Sequence, residues 1–160
     1  MAWAKEGSET LVSSGDIIDV SVTNKKFYNL LSHVFETSPD ADPTFRFNSV
    51  SSSVYASREC NNGATDVLRT SFNRILVTAS GSTNGALIVG YVGNPASSEE
   101  RLLISFCIEA GTAGAGNAPA RTEVVGKWAN TVNDISSIQN FNSDSADFTT
   151  DSNLTVIGTD

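Results

Sequence analysis

The sequence is poor in the residues that usually carry chemistry. It holds one histidine, His33, and two cysteines, Cys60 and Cys107, in 160 residues. A structural zinc site draws on four His or Cys ligands, and neither cysteine stands in a C-x-x-C spacing, so zinc and dithiol redox motifs are missing. No G-x-S-x-G elbow accompanies His33, which is read as a hydrogen-bonded core or edge histidine rather than a catalytic base. Two cysteines are too few for a disulfide scaffold; free thiols are expected, and a pairing between the two stays open. Cations are scarce as well: 10 Lys and Arg stand against 18 Asp and Glu, a net charge of −8. They are scattered from Lys5 to Lys127, so nucleic-acid backbones and anionic membranes are not expected partners. No apolar run approaches the ~20 residues of a bilayer span, and "MAWAKEGSETL" has neither a basic start nor the apolar core of a signal peptide. The chain is therefore expected to lack an export address of its own.

What is present points to β-structure. Serine, threonine and asparagine dominate the polar residues and compete with the backbone inside helices. Short runs rich in β-branched and aromatic residues alternate with turn clusters, which predicts an all-β antiparallel sandwich of jelly-roll type with about ten strands, little or no helix, and a single domain over residues 1–160. "DIIDVSV" puts Ile18 and Val20 on one face, "FYNLLSHVFE" is apolar on both faces as a central strand would be, and "TFRFN" alternates Phe45 and Phe47 around Arg46. Asn62-Gly63 marks a hairpin, and Asn84-Gly85 marks a second between "NRILVTA" and "ALIVGYV". In "RLLISFCIE", Leu102, Ile104, Phe106 and Ile108 are expected to point inward.

Several segments invite a functional reading. "GTAGAGNAP" carries Gly111, Gly114, Gly116 and Asn117, but Pro119 stands where a phosphate-binding fingerprint has glycine, and a strand follows instead of a helix; a surface contact loop is expected. Asp144, Asp147 and Asp151 lie in a polar segment without the spacing or mid-loop glycine of an EF-hand, so a solvated acidic loop is expected rather than a calcium site. Asp40 and Asp42 read as turn residues beside prolines. Residues 1–8 show no strand pattern and read as an N-terminal arm, with Trp3 either a tether to a partner or a cap on the sandwich. Trp128 is expected to fill space beside Gly126, with Asn130, Asn133 and Asp134 serving turn chemistry. No cofactor and no metal are implied.

The succession "MAWAKEGSETLVSSGDIIDV", "FRFNS", "VYASREC" and "NNGATD", then "AGAGNAPARTEVVGKWANT", "ISSIQ" and "LTVIGTD", resembles small jelly-roll virion proteins of the decoration or fibre type, encoded by marine tailed phages and archaeal viruses. The pattern spans nearly the whole chain and consists of strands and turns without a reactive motif. The resemblance implies a non-enzymatic capsid decoration or fibre/tail surface protein. It would be located in the virion, assembled in the host cytoplasm, and bound to other capsid or tail proteins as a homo-oligomer such as a trimer. Partner contacts would fall on Trp3 and on the loop of Gly111, Gly114, Gly116 and Asn117. The alternative is a glycan-binding or adhesion module of a virus or cell surface, which would require Tyr55, Tyr91 and Trp128 to share an exposed face. A hydrolase would need carboxylates about 5–9.5 Å apart across a cleft, and no pair is singled out by the sequence.

Overall fold

The computed structural model describes residues 2–37, 42–77, 85–95, 98–144 and 146–160. Twelve strands form two antiparallel sheets, and no helix occurs among the described residues. The strands are β1 (Ala4–Thr10), β2 (Ile17–Ser21), β3 (Phe27–Val34), β4 (Pro43–Phe47), β5 (Tyr55–Asn61), β6 (Val67–Phe72), β7 (Ile75–Leu76), β8 (Ala86–Gly93), β9 (Arg101–Glu109), β10 (Ala120–Trp128), β11 (Ser137–Asn142) and β12 (Asn153–Thr159). The large sheet runs β1-β12-β3-β8-β9-β10-β5-β6, and the small sheet runs β2-β11-β4-β7. The all-β antiparallel sandwich expected from the sequence is thus the fold of the chain.

One apolar cluster joins the two sheets. Ile18, Phe45, Phe47, Ile75 and Ile138 come from the small sheet, and Leu30, Ile88, Leu103, Val124, Trp128 and Val156 from the inner face of the large one. Phe47, Tyr55 and Trp128 form its aromatic centre, with Tyr55 and Trp128 stacked at a centroid distance of 6.3 Å. Gly126 faces inward as Trp128 does, yet the space it leaves is taken by Ile75: a Cβ there would come within 2.9 Å of Ile75 Cδ1. Close approach of the two sheets, rather than room for the tryptophan, explains this glycine.

Three expectations about strands are corrected. Residues 4–8 do not form a free arm; they belong to β1, which pairs with β12 from Ala4↔Gly158 to Thr10↔Asn153. An edge strand takes its order from main-chain bonds to one neighbour and has one exposed edge, so it needs little apolar patterning of its own. "NRILVTA" and "ALIVGYV" do not form a hairpin, because β7 pairs with β4 in the small sheet while β8 lies between β3 and β9 in the large one. The turn residue Asn84 expected there, like Asp40, lies outside the described residues. The third correction concerns the phase of β9. Its inward residues are Arg101, Leu103, Ser105, Cys107 and Glu109, whereas Leu102, Ile104, Phe106 and Ile108 face outward. Register decides this: Leu103 pairs with Val92 and Gly126, both inward, so every even-numbered residue of β9 must point to the other side.

The turns behave as their residues predict. Asn62 and Gly63 adopt φ of 52° and 77° in the β5–β6 hairpin. Asn130 Oδ1 accepts hydrogen bonds from the main-chain N–H groups of Val132 and Asn133, and Asn48 Oδ1 accepts one from Ser136 N. The segment after Trp128 is therefore held by local amide bonds between two strands.

Candidate functional site

The reversed phase of β9 places its bulkiest apolar residues on the solvent face of the large sheet, where adjacent strands add to them. Cross-strand pairs on this face are Leu87 with Ile108, Val89 with Phe106, Tyr91 with Ile104, and Gly93 with Leu102. On the β3 side, Leu31 faces Val89 and Phe27 faces Gly93. On the β10 side, Val125 faces Ile104, and beyond it Arg58 of β5 pairs with Leu68 of β6. Leu102 is 59% exposed and Phe106 50%. Ten such side chains at about half exposure present on the order of 1,000 Å² of apolar surface, above the ~300–600 Å² of the largest patch on an ordinary monomer.

The rim of this strip is polar and asymmetric. On one flank stand His33 and Asn29 of β3 with Asn153 and Thr155 of β12. On the other flank the ions pair among themselves: Arg58 with Asp66 at 3.0 Å, Lys127 with Glu100 at 2.7 Å, and Arg121 with Glu123 at 3.6 Å. At the end of the strip, Gly93 leaves a hollow of about 400 Å³ between Phe27, Pro95 and Leu102. A Cβ at Gly93 would meet nothing within 4 Å. An apolar centre with a hydrogen-bonding and internally neutral rim is the anatomy of a protein-contact surface.

The inner face of the same strand is built differently. Arg101 is 0% exposed. Its Nε donates to Asn94 Oδ1 at 3.1 Å and its Nη1 to the carbonyls of Glu99 (2.9 Å) and Asn130. Its guanidinium also lies 5.9 Å from the Trp128 ring centroid and, through Nη2, 3.7 Å from Asp134 Oδ1. These bonds anchor the start of β9 to the loop after β10 and give a fully buried charge hydrogen-bond partners inside the protein. Cys107, six residues along on the same face, has its thiol pushed far up by burial, with Glu109 and Glu36 adding to the effect; such a thiol is inert. Cys60 and Cys107 are both free, and Cys60 Sγ donates to the Ala64 carbonyl at 3.2 Å.

The residues singled out from the sequence do not converge. Trp3 is 51% exposed, at the start of the β1 edge, beside the end of the sheet that holds Gly158, Tyr28 and Val92. Gly111, Gly114, Gly116 and Asn117 lie in the β9–β10 connection at the opposite end of the strands. That loop is closed on itself: Asn117 N donates to the Gly114 carbonyl at 3.0 Å and Asn117 Nδ2 to the Ala113 carbonyl at 2.9 Å. The three aromatics of the glycan alternative are split. Tyr91 is on the outer face, but Tyr55 and Trp128 are buried in the core, so no exposed aromatic platform forms. Burial pushes the Tyr55 hydroxyl up to about 12, the Phe47 main chain and Arg46 opposing it; its oxygen accepts from Phe47 N at 3.1 Å. Both lie inward because aromatic bulk fills a sandwich core well; the Tyr55 hydroxyl is hydrogen-bonded there, whereas the Trp128 Nε1 has no hydrogen-bond partner among the described residues.

His33 sits on the outer flank, its ring 4.4 Å from that of Phe35. The acidic residues of the loop before β12 disperse. Asp147 hydrogen-bonds to Asp16, which raises the Asp16 pKa, and burial together with the charge of Asp144 raises that of Asp42. No group of three or more His, Cys, Asp or Glu able to hold a metal occurs among the described residues. Among the described residues no helix is long and apolar enough to cross a membrane. No protein-family model, curated protein or solved structure matches the chain.

The outer face was missed in the sequence because alternation gives two phases and hydrophobicity was used to choose between them. The available signal was excess in β8, which carries Leu87, Val89 and Tyr91 at outward positions as well as Ala86, Ile88 and Val92 at inward ones. A strand with one wet face has no need of both.

Proposed function

We propose that the protein is a non-enzymatic structural component acting by protein–protein contact, of the virion surface type that the sequence resembles, with a jelly-roll-type sandwich as its scaffold. It works as part of a homo-oligomer and against other capsid or tail proteins. The observation that carries this reading is the apolar outer strip of β3, β8, β9 and β10, larger than a lone soluble domain needs and bordered by ions that already neutralise one another. A contact protein needs shape and area on a rigid sheet, and both are present there.

The test is the protein composition of particles purified from a culture that expresses the gene. Peptides of this chain in fixed ratio to the shell or tail proteins support the reading. A chain recovered only as free protein overturns it. Phe106→Glu, on the exposed face, keeps its circular dichroism spectrum and is lost from the particles; incorporation equal to that of the native chain moves the contact away from this face.

A further inference from the structure

We infer that the occupant of the outer face is a second copy of this chain, related by a two-fold axis that runs along the strands between β8 and β9. The inference rests on the contact reading above and names its partner. Area is the first argument. A standard stable interface buries about 800 Å² on each partner, and the apolar strip alone offers on the order of 1,000 Å².

Charge is the second argument, because it limits what can approach. Two copies carrying −8 each repel at most orientations. Across this face the bordering ions cancel in pairs, so the face adds little like-charge repulsion of its own. The flanks also differ: β10 and β5 carry Arg121, Glu123, Lys127 and Arg58, while β3 and β12 present His33, Asn29, Asn153 and Thr155. An axis along the strands between β8 and β9 lays the ionic flank of each copy over the uncharged flank of the other. An axis across the strands would instead lay β10 over itself in reverse and bring Arg121 onto Lys127.

Shape is the third argument. Gly93 and Leu102 are register partners on the two strands that this axis exchanges. Each Leu102 therefore comes to lie over the hollow at Gly93 of the other copy, and the contact occurs twice, as an isologous interface requires. Two sheets packed face to face cross at about −30°, which keeps the β8 and β9 strips in contact along most of their length.

The experiment is sedimentation velocity on the full chain over a range of concentrations, with circular dichroism as the check on folding. The native chain is expected as a dimer that dissociates on dilution. Ile104→Lys weakens it by about 100-fold or more, and Gly93→Trp, which fills the hollow, by about tenfold. Leu31→Lys, which this axis sets opposite Glu123 of the other copy, retains the dimer. A native chain that is monomeric or trimeric at every concentration overturns the inference, as does a dimer indifferent to Ile104→Lys. Loss of the dimer in Leu31→Lys equal to that in Ile104→Lys overturns the axis. A monomeric native chain that still enters particles through Phe106 sinks the self-pairing alone, whereas a dimer with Phe106-independent incorporation sinks the particle-contact reading alone.

Discussion

The two faces of β9 differ in the opposite sense from an ordinary sandwich strand. Its inner set, Arg101, Leu103, Ser105, Cys107 and Glu109, contains both of its charges, while its outer set, Leu102, Ile104, Phe106 and Ile108, contains none. The inner face tolerates its arginine because most of the guanidinium is tied down: Arg101 is held by Asn94, Glu99 and Asn130 and stacks toward Trp128, while its Nη2 and Ser105 Oγ make no hydrogen bond among the described residues. The outer face has no such network, and its large apolar side chains are left about half exposed by the described residues. Polarity inside is thus a matter of bonding, and apolarity outside is a matter of a missing partner.

The sharpest way to break this comparison is to place the same charge on neighbouring residues. Leu103→Asp, on the buried phase, is expected to cost about 4 kcal/mol or more and to unfold much of the population, because a carboxylate there has no partner. Ile104→Asp, one residue along, is expected to change stability by less than about 1 kcal/mol while removing self-association. Urea unfolding of both variants by intrinsic fluorescence checks this; equal losses would mean that the two faces are not distinct. Next in size is Arg101→Met, which leaves Asn94 Oδ1 and the Asn130 carbonyl without their donor and is expected to cost about 2–3 kcal/mol by the same assay. A stabilised Arg101→Met variant would show that the inner charge is merely tolerated.

The smallest effect lies away from β9, at a carboxylate pair that lacks the cationic partner Arg101 would supply elsewhere. Asp16 has a raised pKa because it hydrogen-bonds to Asp147, with desolvation and the Asp147 charge acting in the same direction. A raised carboxyl pKa means that the folded state holds the proton more tightly, so this contribution is full below the unfolded value near 3.8 and is lost as pH rises through the folded value. Asp16→Asn is therefore expected to raise the melting temperature slightly at pH 7 and to leave it unchanged in acid. Thermal melts at both pH values give the sign directly, and an equal shift in acid would contradict it.

Much of the architecture was legible because period-two alternation and turn residues are local signals. Ile18, Val20, Phe45 and Phe47 point inward as their spacing predicts, and Asn62-Gly63 turns the chain where positive φ is needed. What could not be read locally depended on neighbours. The inclusion of residues 4–8 in β1 follows from pairing with β12, at the other end of the chain. The assignment of β7 and β8 to different sheets depends on long-range pairing, and the orientation of β9 follows from register with β8 and β10. The candidate site suffered most, because the exposed strip exists only when β3, β8, β9 and β10 lie side by side. Single residues such as Trp3 or Asn117 stood out by type, whereas Leu102 and Phe106 looked like ordinary core.

The claim that the outer face is a covered surface in the working protein is tested most directly by hydroxyl-radical footprinting of the full chain in its associated form. Phe106, Tyr91 and Leu102 are expected to be protected relative to the same chain at high dilution, while Trp3 reacts equally in both. Reactivity of Phe106 and Leu102 that does not change between the two conditions would contradict the account.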